Sequence, residues 1–469
     1  MLRYLTGLLL LLLAGCTAGV NPLPDPREMS FAPLDFSFPE VARESLDNGM
    51  ELYLLPDDEL PLIDITVMIG GGSIDVSEEK TGLGGVYAAT WRSGGAGKRT
   101  PDQVDSELDL RAMNLGINTD NYTSSLHLSL RKEDLPFALT LLRDLLLAPG
   151  FEADRMEIVR KQAIEAVRRR DDNPGSTAGR VLRAALYPDH PLGRVSSAET
   201  LNAIEREDLL AFHRRHVHPD NLLLGISGDF SPVDLGDQLE SLFGAWSKGR
   251  SERQEIPPLT PSQAPAVHVA DRELTQTTIF LGDRGIEKGN PDQYPLRVMN
   301  YILGGGSFNS RLMREIRSNR GLAYSVYSQV QIGRRLPGMI LLGGETKSGS
   351  TLEVVGLMRQ EMEKLRADPV PEQELALAKE SLINSFVFAF DQRHEVVSRA
   401  MRLDFFDYPP NYLEQFRENI ASVTAADVQQ VAKVYLRPEM QTVVLVGQEQ
   451  DFDAPPATLG LPVTEVSRE

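Results

Sequence analysis

The sequence predicts an α+β protein built from two homologous domains, each a mostly antiparallel sheet backed by helices. Three observations carry this. Ile204, Asp208, Pro219 and Gly228 recur as Val423, Asp427, Pro438 and Gly447, every pair 219 residues apart. A constant offset means that the spacings were kept, and a period so far beyond solenoid units indicates a duplicated domain. The segments starting at Phe151 and Val370 align at the same offset, and both read as amphipathic helices. Strand and helix signals are mixed with hairpin turns rather than strictly alternating, which favours antiparallel sheets. Finally, residues 248–265 (SKGRSERQEIPPLTPSQA) are polar and proline-bearing with no periodicity, as a linker reads. The expected domains are therefore residues 39–247 and 266–452, with 453–469 as a polar tail.

Taken in order, the chain opens Met1-Leu2-Arg3, runs through apolar Leu8 to Leu13 and reaches Leu13-Ala14-Gly15-Cys16. A short basic start, an apolar core too short to span and a lipobox cysteine read as a bacterial lipoprotein signal over residues 1–16, lipidated at Cys16. Cys16 is the sole cysteine, so no thiol remains for a disulfide or a thiolate nucleophile. Thr17 after the cysteine matches an outer-membrane address, facing the periplasm, and residues 17–38, rich in proline and small residues, read as a tether. The net charge of −19 argues against nucleic acid as a partner.

In the first copy, Asp47-Asn48-Gly49 predicts a hairpin turn, and Leu62 to Ile69 a buried strand ending in Gly70-Gly71-Gly72. Helices are expected from Gly82 to Arg92 and from Asp102 to Met113, then a strand from Tyr122 to Leu130. Further helices span Glu133 to Leu147, Ala153 to Arg170, Ala178 to Leu186 and Arg206 to Arg215, before a closing strand from Leu222 to Ile226. The loop Arg92 to Thr100 (RSGGAGKRT) hints at a phosphate cradle but lacks its first glycine and its magnesium hydroxyl. His213, His216 and His218 offer metal-ligand residue types, although no cysteine or carboxylate set completes them.

The second copy repeats the order. Its distinctive stretch is a glycine-rich loop, Gly304-Gly305-Gly306, entering through Ser307 or Asn309 as N-cap a helix with Leu312, Met313 and Ile316 on one face, which Gly321 stops. A strand from Ala323 to Ile332 follows, its alternation placing Tyr324 on the face of Val326, Val330 and Ile332. Arg317 at the helix end and Tyr324 at the strand start can be aimed at one space. A cation donor beside a phenol suits a carbonyl oxygen or its oxyanion. Helix polarity and strand packing explain the two residues equally well on local physics.

The runs Ser310-Arg311-Leu312, Ile316-Arg317 and Arg320-Gly321-Leu322-Ala323-Tyr324-Ser325-Val326 resemble the second-domain signature of the insulinase/pitrilysin zinc peptidase family, in its branch similar to mitochondrial processing peptidase. The resemblance covers Ser45 to Gly447. It implies the same two-domain fold, a role for Arg317 and Tyr324 at the scissile peptide, and a substrate-facing loop at Gly304, Gly305, Gly306 and Ser307. Catalytic relatives carry His-x-x-Glu-His after Gly-Leu, two imidazoles for zinc and a glutamate as general base. Here, after Gly82-Leu83, the histidine positions are Gly85 and Ala89 and the glutamate position is Ala88. The third ligand falls at Glu165 or Ala166, and Glu165 reads as part of a solvated ion pair among Arg160, Lys161 and Arg168. The resemblance therefore implies a chain that binds no cofactor itself and serves as the zinc-less subunit of a heterodimer, with zinc in a related partner. It also implies a peptide lying along an exposed strand at Asn118 to Leu128. The alternative is a peptide-binding or assembly scaffold without catalysis.

Overall fold

Asn48 shows how the first sheet starts. Its side-chain oxygen accepts from Met50 N (3.1 Å), its amide donates to the Phe243 carbonyl (2.7 Å), and Gly49 takes φ +85°. The expected hairpin results, between β1 (Ala42–Ser45) and β2 (Glu51–Pro56). The computed structural model describes residues 39–249, 255–260 and 264–468; the signal, Cys16 and the tether lie outside the described residues. The first half continues through β3 (Leu62–Gly70), α1 (Leu83–Ser93), α2 (Pro101–Leu110), β4 (Asn114–Thr119), β5 (Thr123–Arg131), α3 (Leu135–Leu147) and α4 (Ala153–Arg168). It closes with α5 (Pro174–Leu186), α6 (Ala198–Asn202), α7 (Arg206–His216), β6 (Leu222–Gly228) and α8 (Pro232–Phe243). Its sheet runs β1-β2-β6-β3-β5-β4, with only β2 and β6 parallel.

The second half holds β7 (Val267–Asp271), β8 (Gln276–Arg284), α9 (Gln293–Asn300), β9 (Ala323–Val330), β10 (Met339–Lys347) and α10 (Thr351–Ala367). Then come α11 (Glu372–Phe386), α12 (Arg393–Phe405), α13 (Tyr412–Ser422), α14 (Ala425–Tyr435), β11 (Thr442–Gly447) and β12 (Val463–Glu465). Its sheet runs β12-β7-β11-β8-β10-β9. The duplication is visible in register: α5 and α12, α7 and α14, and the turns Pro219–Asn221 and Pro438–Met440 are each displaced by 219 residues.

Each sheet buries one face under its own half's helices and the other under a helix lent by the opposite half. Ile63, Ile65 and Val67 of β3 face the first core, while the alternate residues Asp64 and Thr66 turn the other way, toward α12. There Met401 and Val397 lie so close to β6 that a Cβ on Gly225 would stand 2.3 Å from Met401 Sδ. Reciprocally, α5 lays Ala178, Val181, Leu182 and Leu186 on Val444 and Val446 of the second sheet, where a Cβ on Gly282 would meet Leu182 at 2.6 Å. The two seams differ in chemistry. The α5 seam is aliphatic; the α12 seam is a hydrogen-bond chain from Asp64 through Ser129 (2.5 Å), His127 (3.0 Å), Thr66 (3.2 Å) and His394 (2.6 Å) to Ser227 (2.8 Å).

Two expectations need correction. The helix expected to reach Met113 stops at Leu110, Ala112 takes φ +52°, and β4 follows as a strand absent from the sequence reading. Asp120 Oδ1 accepts from the amides of Tyr122 and Thr123, both at 2.7 Å, and folds the chain straight back into β5. The sheet edge is therefore β4, and the Thr123–Leu128 part of the expected edge is interior, paired on both sides. The expected polar tail is also structured. Asp453 caps α10 through the amides of Leu352 (2.8 Å) and Glu353 (2.9 Å), and β12 pairs parallel with β7, covering its edge.

Burial holds His394 down to about 4 against an ordinary 6.5, with Asp64 raising it and His127 lowering it further; Arg393 and Glu395 are its charged neighbours on α12. A histidine depressed in the folded state contributes fully above the unfolded value, and loses that contribution as pH falls from about 6.5 to about 4, on the order of 3 kcal/mol at most. Urea midpoints should accordingly drop between pH 7.5 and pH 5. In His394→Gln part of that drop should vanish; an unchanged drop would show that the α12 seam is not its source.

Candidate functional site

The helix α9 does not end at the glycines. It continues through a π-helical turn, Tyr301–Gly305, that lies directly on β9: a Cβ on Gly304 would stand 2.2 Å from Ser328 N, and one on Gly306 2.7 Å from the Tyr301 ring. The expected glycine-rich loop is thus a packed crossing, and glycine is demanded there by close approach. The chain then turns at Ser307 (φ +51°) through a short 3₁₀ turn, Ser307–Asn309. The N-cap of the next helix is neither Ser307 nor Asn309 but Ser310, extended at φ −81°, whose carbonyl accepts from Arg314 N (3.0 Å). Leu312, Met313 and Ile316 are buried as expected, through a helix that is π-helical from Met313 to Asn319. Arg311 fastens it to α11 by a two-pronged contact with Glu374 (3.1 and 2.6 Å). Gly321, at φ +65°, ends it; its amide reaches the Arg317 carbonyl (3.0 Å), and the Leu322 amide that of Ile316 (2.9 Å).

Arg317 and Tyr324 come together. The Arg317 guanidinium lies over the Tyr324 ring at 4.8 Å from its centroid and over the Phe308 ring at 4.6 Å. No carboxylate forms an ion pair with it among the described residues; neighbouring Glu315 is taken by Arg320 (2.7 Å). The face of Tyr324 differs from the expectation. Across β10, Ala323 pairs with Thr346 but Val326 with Gly344, so β9 carries one extra residue, a bulge. Strict alternation fails there and Tyr324 turns to solvent, 83 % exposed, while Val326 stays buried. Phe308, 64 % exposed, was missed; an aromatic residue on a glycine-flanked turn is the only signal that marked it.

On α1 the predicted metal positions sit where a metal helix needs them and carry nothing to bind one. Val86, Tyr87 and Trp91 enter the core, whereas Gly85 and Ala89 are exposed one turn apart and Ala88 is buried. A Cβ on Gly85 would meet nothing within 4 Å. Glu165 on α4 is a surface carboxylate 3.6 Å from Arg168. One glycine, two alanines and an exposed ion-paired glutamate do not fit a zinc ion.

The three histidines do not converge. His213 is a core residue: Nε2 donates to the Leu146 carbonyl (2.8 Å), so Nδ1 accepts from Tyr87 Oη (3.0 Å), and burial pushes its pKa down to about 4. His216 packs on Gly71 and Phe212, and His218 on Gly249. The glycines after Arg92 are likewise structural. Gly97 abuts Asp144, which also binds Arg99 (2.7 Å), and a carboxylate there repels phosphate.

Residues 57–198 match the family model described as insulinase (peptidase family M16), and residues 203–382 the model described as peptidase M16 inactive domain. An uncharacterised zinc protease of Mycobacterium leprae is 27% identical over 417 residues, covering 86% of this chain and 91% of that one. A Helicobacter pylori protein named a non-peptidase homolog is 23% identical over 393 residues, covering 81% and 88%. In structure, the peptidase M16 inactive domain protein of Pseudomonas fluorescens superposes with a TM-score of 0.79 at 23% identity, over 89% of this chain and 99% of that one.

The glycines separate by what surrounds them. Gly304→Ala should cost about 1–3 kcal/mol, because a methyl group is driven into the β9 backbone. Gly85→Ala should stabilise by about 0.5–1 kcal/mol, as a helix-interior alanine with free space. Urea denaturation of the two variants reads this directly, and equal midpoints would refute the packed crossing.

Proposed function

The chain belongs to the insulinase family of M16 peptidases, and on that premise we propose that it is the zinc-less subunit of a membrane-anchored, periplasm-facing metallopeptidase. It lends Arg317 and Tyr324 to the active site of a related, zinc-bearing partner. The observation that carries this reading is an arginine with no carboxylate partner among the described residues, held over an exposed tyrosine, in a chain whose own candidate metal helix offers only Gly85, Ala88 and Ala89. An arginine kept for stability ordinarily sits on an acid, as Arg311 does on Glu374. Stacking on ring faces restrains the guanidinium while leaving its in-plane N–H groups available. Together with the Tyr324 hydroxyl they suit a peptide carbonyl whose oxygen gains charge, where one donor is worth about 3 kcal/mol of barrier.

Gly304, Gly305, Gly306 and Ser307 present this pair beside β9, an edge strand whose outer backbone groups can pair with an extended peptide. Zinc, in this reading, is the partner's. Attachment to the membrane, in this reading, is through a lipid on Cys16. The second reading, an assembly or peptide-binding scaffold, draws support from the Helicobacter relative's description as a non-peptidase homolog.

The test is reconstitution of the full chain with an M16 protein carrying His-x-x-Glu-His encoded beside it, assayed for zinc content and for cleavage of quenched peptides. Cleavage by the mixture alone, with zinc stoichiometric to the partner, is expected. Arg317→Ala and Tyr324→Phe should each lower turnover by about 10²-fold with assembly intact. Full-rate cleavage by the double variant would remove the pair from the reaction, and stable assembly without cleavage would establish the scaffold.

A further inference from the structure

Phe308 has no place in the core, yet its ring is held against one group. It is 64 % exposed, on a turn whose first residue, Ser307, sits at φ +51°, a conformation unfavourable for a residue bearing a Cβ. The turn is nevertheless well tied. The Asn309 amide reaches the Gly306 carbonyl (3.1 Å), the Ser310 amide reaches that of Ser307 (3.0 Å), and Ser310 Oγ donates to the same oxygen (2.7 Å). What this arrangement achieves is the placement of a second aromatic ring against Arg317, in addition to the ring supplied by Tyr324.

We propose that Phe308 is the positioning residue for Arg317: with Tyr324 it clamps the guanidinium by contact with two rings, so that the cation is oriented before substrate arrives. The inference rests on the reading of Arg317 as a donor in the reaction. A carboxylate would hold the side chain as well, but would occupy its N–H groups and offset its charge. Ring faces do neither, since they contact the π surface of the cation and leave the donor edge outward. A long side chain otherwise free to rotate is thereby pre-organised, and the loss of rotamer freedom is met on folding rather than at the reaction step. The bulge in β9 belongs to the same device, because without the extra residue Tyr324 would point into the sheet face and the second ring would be missing.

Because Phe308 is exposed, its substitution should leave the urea midpoint unchanged. In the full chain alone, the rate at which phenylglyoxal modifies Arg317, read by peptide mass mapping, should rise several-fold in Phe308→Ala and Phe308→Leu. It should stay at the wild-type rate in Phe308→Tyr and Phe308→Trp. In the reconstituted pair, the Ala and Leu variants should lower kcat by about tenfold with KM unchanged, and the aromatic variants should restore it. Unchanged Arg317 reactivity in Phe308→Ala, or a leucine as good as a tyrosine, would overturn the clamp. If Arg317→Ala cripples turnover while the Phe308 variants are normal, the clamp alone fails. If Arg317→Ala is itself at full rate, the functional reading fails and the positioning role with it.

Discussion

The exchange of one helix between the two halves is the constraint on which the rest of the molecule depends. A sheet that buries only one face can leave the other to water, but these sheets cannot. The second presents Val444 and Val446 beside Gly282, and the first presents Tyr53, Thr66 and Ser227 beside Gly225, all covered by the opposite half. Glycine at the crossing points lets each helix approach the strands closely, so the fit is steric as well as hydrophobic. Further ties cross the same boundary: Tyr53 Oη donates to Asp404 (2.7 Å), Tyr187 Oη to the Gly338 carbonyl (2.9 Å), and Arg272 pairs with Asp171 (3.0 Å). Neither half completes its own surface alone.

The Arg317 site is set at the far edge of the second sheet by a sequence of local contacts. The glycine crossing brings the end of α9 onto β9, the Arg311–Glu374 contact fixes the following helix against α11, and Gly321 releases the chain into the strand at a defined angle. The bulge then turns one residue outward. The stretch from Gly304 to Val326 supplies the pair, but only against two distant partners, Glu374 on α11 and the β10 register that defines the bulge. Phe308 enters the same stretch through a strained turn, and strain of this kind collects where geometry serves a reaction rather than stability.

In the first half, packing and candidate chemistry occupy different faces of one helix. Helix α1 buries Val86, Tyr87 and Trp91 on one side and turns Gly85 and Ala89 to the other. The apolar face holds the helix in place, and Gly85 and Ala89, the positions where the resemblance leads one to expect metal ligands, belong to the opposite face, which the core does not need. A change of residue at Gly85 or Ala89 therefore leaves the packing intact. Arg317, half-buried, packs instead on the rings of Tyr324 and Phe308, outside the second core.

The sequence alone determined the duplication, because a 219-residue offset survives in residues that cap and turn the chain, such as Asp208 and Asp427 or Pro219 and Pro438. It also determined the α+β class, the nature of the residues at Gly85, Ala88 and Ala89, and the helix end at Gly321 that sets Arg317 and Tyr324 within reach of one space. These are local properties, carried by residue type and by spacings within a turn or two. What only the tertiary structure decided involves contacts distant in sequence. The glycines at 304–306 read as a loop until β9 is laid against them, and Tyr324 reads as inward until β10 shows the bulge. Val463 reads as tail until β7 offers it an edge, and α5 and α12 read as ordinary helices until each is found on the other half's sheet. In every case the missing information was the identity of a partner, and periodicity reports which side of an element is apolar without saying what will cover it.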